Sequence, residues 1–273
     1  MDWRALALSS LAIFLIAAAP QSPSTRDDSG TLCESDNWQA RIAGCTALIG
    51  SGRESPPALA VDFNNRGIAY RNTGDYDRAI ADFDRAVELL PGFAAAFSNR
   101  GNAYRGKGEY DRAIADFDAA LKHDPGFPAA YNNRGQVYRL KGNVARAIQD
   151  FDHAIEIDPG YAGAWNSRCY ARATAGQLTQ ALADCDEALR LRPDDPNLLD
   201  SRGFVYLKLR HYDRAIEDYD AAVKASPTAA SALFGRGLAK KATGDAAGAA
   251  ADMATARRLD ANVATEFERS GLR

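Results

Sequence analysis

Histidine is almost missing from this chain: only His123, His153 and His211 occur among 273 residues. A histidine-dependent triad or an imidazole-rich metal centre therefore has little to draw on. The four cysteines include no Cys-x-x-Cys pair, which removes the usual zinc and dithiol spacings. There is no phosphate-binding Gly-rich loop, no Gly-x-Ser-x-Gly and no His-Glu-x-x-His. Neither is there a polybasic run, and the net charge is −3, so no electrostatic footprint for nucleic acid appears. Aromatic residues are only 9% of the chain although 46% is hydrophobic. Alanine makes up much of that apolar fraction, which suits closely packed helices better than sheets.

One long apolar run exists. Ala5 to Ala19 is almost wholly apolar, follows Arg4, and ends in Ala17-Ala18-Ala19. About fifteen apolar residues are short for a membrane span and right for the core of an export signal. Residues 1–19 are read as a signal peptide, with an uncleaved anchor as the alternative and Pro20 leaving the cleavage point open. Residues 20–35 are polar, rich in Ser and Pro, and read as a disordered linker.

Beyond this leader the text repeats. Pro57, Pro91, Pro125, Pro159, Pro193 and Pro227 stand 34 residues apart. Between them Phe63-Asn64-Asn65-Arg66-Gly67-Ile68-Ala69-Tyr70 recurs with few changes at 97–104 and 131–138. Tyr76-Asp77-Arg78-Ala79-Ile80-Ala81-Asp82-Phe83 recurs from Tyr110 and from Tyr212. Six repeats follow: 58–91, 92–125, 126–159, 160–193, 194–227 and 228–261. Each carries two stretches of helical periodicity. The first stops at Gly74, Gly108, Gly142, Gly176 or Gly244, and the fifth repeat has Arg210 there. Asp75, Glu109, Asn143 and Asp245 can then cap or favour the start of the second helix, which the proline ends.

A 34-residue unit with an aromatic, a small residue, Tyr, Ala, Phe, Ala and Pro in this order resembles the tetratricopeptide repeat. The resemblance covers about three quarters of the chain. It implies an all-α, right-handed superhelical solenoid whose first helices line a concave groove, and it implies peptide or protein binding without catalysis. Trp38 to Ile49 resembles a second helix without its first, so residues 36–57 are expected to form an N-terminal cap. Residues 262–273 are expected to add a C-terminal capping helix, and the sixth repeat, with Leu233, Lys240, Ala246 and Met253 for aromatics, thins toward that end.

In this register Cys169 and Cys185 replace the small residue and the Phe of the fourth repeat. They stand at matching heights on antiparallel helices, so a Cys169–Cys185 disulfide is expected, and Cys33–Cys45 by elimination. Reduced thiols are the alternative. Arg66, Arg100, Arg134, Arg168, Arg202 and Arg236 precede the small residue, while Asp82, Asp116, Asp150, Asp184, Asp218 and Asp252 precede the Phe position. Six of each sign at fixed phase predict an Arg–Asp ladder that sets the stacking register.

The resemblance maps the groove onto Asn64, Asn65, Ile68 and Arg71, then Ser98, Asn99, Asn102 and Arg105, then Asn132, Asn133, Gln136 and Arg139. Asn65, Asn99 and Asn133 would form an amide ladder able to pair with an extended peptide backbone, and the three arginines would attract carboxylates. The bland alternative is that these amides only solvate the groove. Further on, Asn166, Ser167 and Tyr170 give way to Asp200, Ser201 and Phe204, then Phe234 and Leu238, so the second half is more apolar. That half either binds another part of the same partner or is filled by the C-terminal segment. The sequence therefore points to a non-enzymatic scaffold binding an extended peptide or partner protein, or to an assembly component using its convex face or ends. No cofactor, metal or nucleic acid is expected, and no membrane beyond the leader. A monomer is one reading and a dimer stays open. The expected location is periplasmic or secreted.

Overall fold

A computed structural model describes residues 25–272, so the leader expected at residues 1–19, the start of the linker and Arg273 lie outside the described residues. Among the described residues every regular element is a helix. None is long and apolar enough to cross a membrane. Six antiparallel pairs form the body. They are α3 (Pro56–Asn72) with α4 (Tyr76–Leu89), α5 (Ala94–Gly106) with α6 (Tyr110–His123), and α7 (Pro128–Leu140) with α8 (Val144–Ile157). Then come α9 (Ala162–Thr174) with α10 (Leu178–Leu191), α11 (Pro196–Lys208) with α12 (Tyr212–Ala225), and α13 (Ala230–Thr243) with α14 (Ala246–Leu259). At the N-terminal end stand α1 (Thr25–Cys33) and α2 (Trp38–Ser51), and at the C-terminal end α15 (Val263–Arg269).

The repeat sequence explains the hairpin. Phe83, Phe117, Phe151 and Tyr219 are fully buried, and each ring lies over a glycine of the partner helix. A Cβ on Gly67, Gly101, Gly135 or Gly203 would stand 2.7–3.0 Å from that ring, inside van der Waals contact. Glycine is therefore required where the helices approach, and alanines at Ala79, Ala86 and their equivalents fill the rest without exposure. Between the helices Gly74, Gly108, Gly142 and Gly176 adopt φ of 77–83°, the left-handed turn expected of a helix stop. Arg210 takes the same conformation at φ 62° without being glycine. Asp75, Asn143 and Asp245 accept hydrogen bonds from the amides of Arg78, Arg146 and Gly248. Glu109 makes no such bond and instead pairs with Lys107 and Arg112.

Stacking of the pairs sets the curvature. First helices of successive repeats touch one another from α3 through α13, while second helices of successive repeats do not. The first helices are thus the inner layer, and their residues line the concave face. The Arg–Asp ladder is present in all six repeats. Arg100 donates to Asp116 of its own repeat at 2.8 and 2.7 Å and to Asp84 of the preceding one at 2.6 Å. Arg134, Arg168, Arg202 and Arg236 repeat the pattern. Arg66 bonds Asp82 and, having no preceding repeat, reaches Thr46 of α2. The own-repeat carboxylates are buried, so breaking a pair leaves an uncompensated charge and specifies one stacking register.

The N-terminal end departs from expectation. Residues Thr25–Cys33, read as disordered linker, form α1. Polar composition suggested no structure, but the Cys33–Cys45 disulfide and a close crossing at Gly44 hold this segment on α2. The N-terminal cap is consequently a helix pair and not a second helix alone. At the other end α15 is the helix expected at 262–273; Val263 and Phe267 are buried, and Phe267 turns into the concave face. The second disulfide, Cys169–Cys185, takes the place of the glycine and ring in the fourth repeat at the same sequence separation of 16.

Candidate ligand groove

The concave face divides into an open polar half and a closed apolar half. In the open half a groove of about 640 Å³ is lined by Arg71, Asn72 and Tyr76, by Asn102, Arg105 and Gly106, and by Asn133, Gln136 and Leu140. Successive first helices α3, α5 and α7 present these side chains because one repeat advances each helix by a fixed step. Tyr76 enters from the start of α4.

Arginine dominates the electrostatics here. Arg71 Nη1 reaches Asn99 Oδ1 at 3.3 Å, and Arg105 Nη1 reaches Gln136 Oε1 at 2.7 Å. The guanidinium of Arg139 lies 5.1 Å from the Tyr170 ring. Each arginine leans forward onto the next repeat, and among the described residues none of the three has a carboxylate partner. Burial first, and then the charge of the next arginine in the column, lowers the proton affinity of Arg71 and Arg105. Both stay ionised, since guanidinium does not lose its proton in proteins. The column is therefore a set of charged donors held close without compensation, whereas the ladder arginines are saturated.

The asparagines do not form a uniform ladder. Asn64 and Asn132 are 6% and 4% exposed and bond across repeats, to Asn99 and to the Tyr161 hydroxyl, which leaves them little surface for a ligand. Asn99 donates to Asn64 while accepting from Arg71. Asn65 lies apart, in a recess shared with α1 and α2 beside Cys33 and Leu48. Asn133 lines the open groove, as does Asn102, whose buried Oδ1 has no hydrogen-bond partner among the described residues. Gln136 lines it and braces Arg105. Of the residues singled out from sequence, Arg71, Arg105, Asn102, Asn133 and Gln136 share one surface. Asn72 and Leu140 on that surface carry no repeat signal, and Tyr76 belongs to the repeat but reads there only as the start of a second helix.

The apolar half is filled from within. Phe267 of α15 meets Phe204 edge-on at 5.9 Å and Phe234 at 5.2 Å, while Tyr170 stacks on Phe204 at 5.3 Å. Lys208 Nζ donates to the carbonyl of Ser270 at 3.0 Å. Of the two sequence readings for this half, the structure has the C-terminal segment in place.

Comparison with known proteins agrees with this architecture. Family models described as tetratricopeptide repeat match residues 60–93, 98–162 and 162–234. No curated protein matches the sequence significantly. A tetratricopeptide repeat protein from Parabacteroides merdae superposes with a TM-score of 0.70 at 21% identity, covering 90% of this chain and 96% of its own. PilW, a type IV pilus biogenesis factor, gives 0.67 at 22% identity over 77% of this chain and 98% of its own. Pseudomonas aeruginosa pilF gives 0.66 at 20% identity over 79% and 99%. At these identities the likeness is one of fold.

Proposed function

The chain belongs to the tetratricopeptide repeat family, and on that premise we propose that the open half of its concave groove binds an extended peptide bearing acidic groups. Proteins of this family are in general interaction scaffolds. The observation that carries the finer reading is the guanidinium column: Arg71 and Arg105 line a groove of about 640 Å³ with no ion-pair partner among the described residues. Carboxylates of a bound chain supply the missing countercharge, and charge-assisted bonds to arginine are the strong ones. Asn133 and the unpartnered Oδ1 of Asn102 offer sequence-independent bonds to a peptide backbone. The two disulfides support placing this binding in an oxidising compartment, the periplasm or the exterior.

The test is fluorescence anisotropy with a labelled Asp/Glu-rich decapeptide and its Asn/Gln counterpart. The acidic peptide should bind more tightly and lose affinity as salt rises. Arg71→Gln/Arg105→Gln should weaken it at least tenfold with an unchanged melting curve, since neither arginine belongs to the ladder. Equal affinity for the two peptides, or an indifferent double variant, would move the interface to the convex face or the ends.

A further inference from the structure

A second cavity lies outside this groove, where α9, α11, α13 and α15 converge. It holds about 190 Å³ and is lined by Tyr170, Asp200, Ser201, Phe204, Ser231, Glu266 and Phe267. That is smaller than a cofactor site and suits a ligand group the size of one side chain. Its walls are aromatic: Tyr170 and Phe204 from the repeats, Phe267 from the C-terminal helix. Its charged groups are of one sign. Asp200 accepts one bond, from Ser231 Oγ at 2.8 Å to Oδ2, and the structure gives its carboxylate no other partner. Glu266 stands exposed at the mouth. Neither carboxylate has a cation within ion-pair distance among the described residues. Lys208, on the same helix as Asp200, is committed to the Ser270 carbonyl and the Phe204 face.

A half-buried carboxylate without a counter-ion is costly, and the cost is removed either by a proton or by a bound cation. The surroundings favour a cation with an apolar stem. The hydroxyls of Ser201 and Ser231 and the two carboxylates can receive an ammonium's protons, while the aromatic walls exclude water from its carbons. We propose that this pocket binds an alkylammonium group, with Asp200 as the counter-ion, Glu266 guiding entry and Phe267 closing the wall. The same chemistry is carried by a free primary amine and by a lysine side chain of a bound polypeptide.

The groups facing Asp200 fix the pH response. Tyr170 of α9 and Tyr219 of α12 both have proton affinities raised by burial and stay neutral through the neutral range. Ser231 of α13 does not titrate, and Glu266 of α15 is the remaining acid. Burial raises the Asp200 pKa to about 6 against the Ser231 bond. Binding should therefore weaken about tenfold from pH 7.5 to pH 5 as Asp200 takes its own proton.

Amide chemical shifts of the full chain would be followed against n-butylammonium chloride, n-butanol, acetyl-lysine methylamide and acetyl-norleucine methylamide. The expected result is saturable perturbation around Phe204, Ser231 and Phe267 by an ammonium probe, at least tenfold stronger than by its neutral counterpart. The effect should be lost in Asp200→Asn and reduced in Glu266→Gln. Saturation by both ammonium probes identifies a free amine as sufficient, and by the lysine probe alone a polypeptide-borne group. Equal response to charged and neutral probes, undiminished binding in Asp200→Asn, or no saturable response to either ammonium probe overturns the proposal.

Discussion

Replacing Asp200 by asparagine should make the protein more stable at neutral pH and leave it unchanged in acid. The carboxyl is held in the concave wall with one hydroxyl donor and no cation, and burial lifts its pKa from 3.8 to about 6. Two units correspond to about 3 kcal/mol at 1.36 kcal/mol per unit, and access of water through the pocket brings this to about 2 kcal/mol. The sign follows from proton counting. Between pH 4 and 6 the folded chain holds the Asp200 proton more tightly than the unfolded chain, so stability falls as pH rises through that window. Above pH 6 the ionised carboxylate carries the full penalty. Asparagine keeps the shape and the bond from Ser231 but never ionises. Thermal melts of parent and variant from pH 4 to pH 7.5 should diverge with rising pH, reaching about 4–8 °C at the top. Because repeats melt with only local cooperativity, the shift should concentrate in the transition of the C-terminal repeats. A constant offset across the pH range, or a variant less stable at pH 7.5, would refute the assignment of a strained carboxylate.

Two further substitutions probe the repeat itself. Arg210→Gly should stabilise by about 0.5–1 kcal/mol, because Arg210 holds a left-handed φ of 62° that glycine adopts without Cβ strain, less the chain entropy glycine adds; chemical denaturation would show it. Cys169→Ala/Cys185→Ala should cost about 3 kcal/mol through loss of a short cross-link, while Cys169→Gly/Cys185→Phe should regain much of that by restoring the ring-over-glycine contact of the other repeats, measured under identical reducing-agent-free conditions.

Asp200, held by a single hydroxyl donor, and the uncompensated Arg71 and Arg105 have a common physical meaning. Both place uncompensated charge where burial disfavours it, while the Arg–Asp ladder shows that the same scaffold neutralises charge when register alone is at stake. Strained electrostatics of this kind concentrate at binding sites, where a ligand supplies the missing partner.

The 34-residue rhythm of Gly, Ala, Phe and Pro is local chemistry, so the helix pairs and their turns were determined by sequence. Antiparallel pairing then converts a separation of 16 residues into lateral contact, which is why Arg100–Asp116 and Cys169–Cys185 could both be foreseen from spacing. What does not repeat was decided by tertiary structure alone. The helix at Thr25–Cys33 exists because a distant cysteine and Gly44 receive it, not because its polar residues favour it. Whether an asparagine faces solvent or the next repeat depends on superhelical twist, which turned Asn64 and Asn132 inward and left Asn133 in the groove. Nothing in the tail's sequence marks Phe267 apart from Val263 or Leu272; the curvature of the array brought Phe204 and Phe234 to meet it, and that meeting closed the pocket over Asp200.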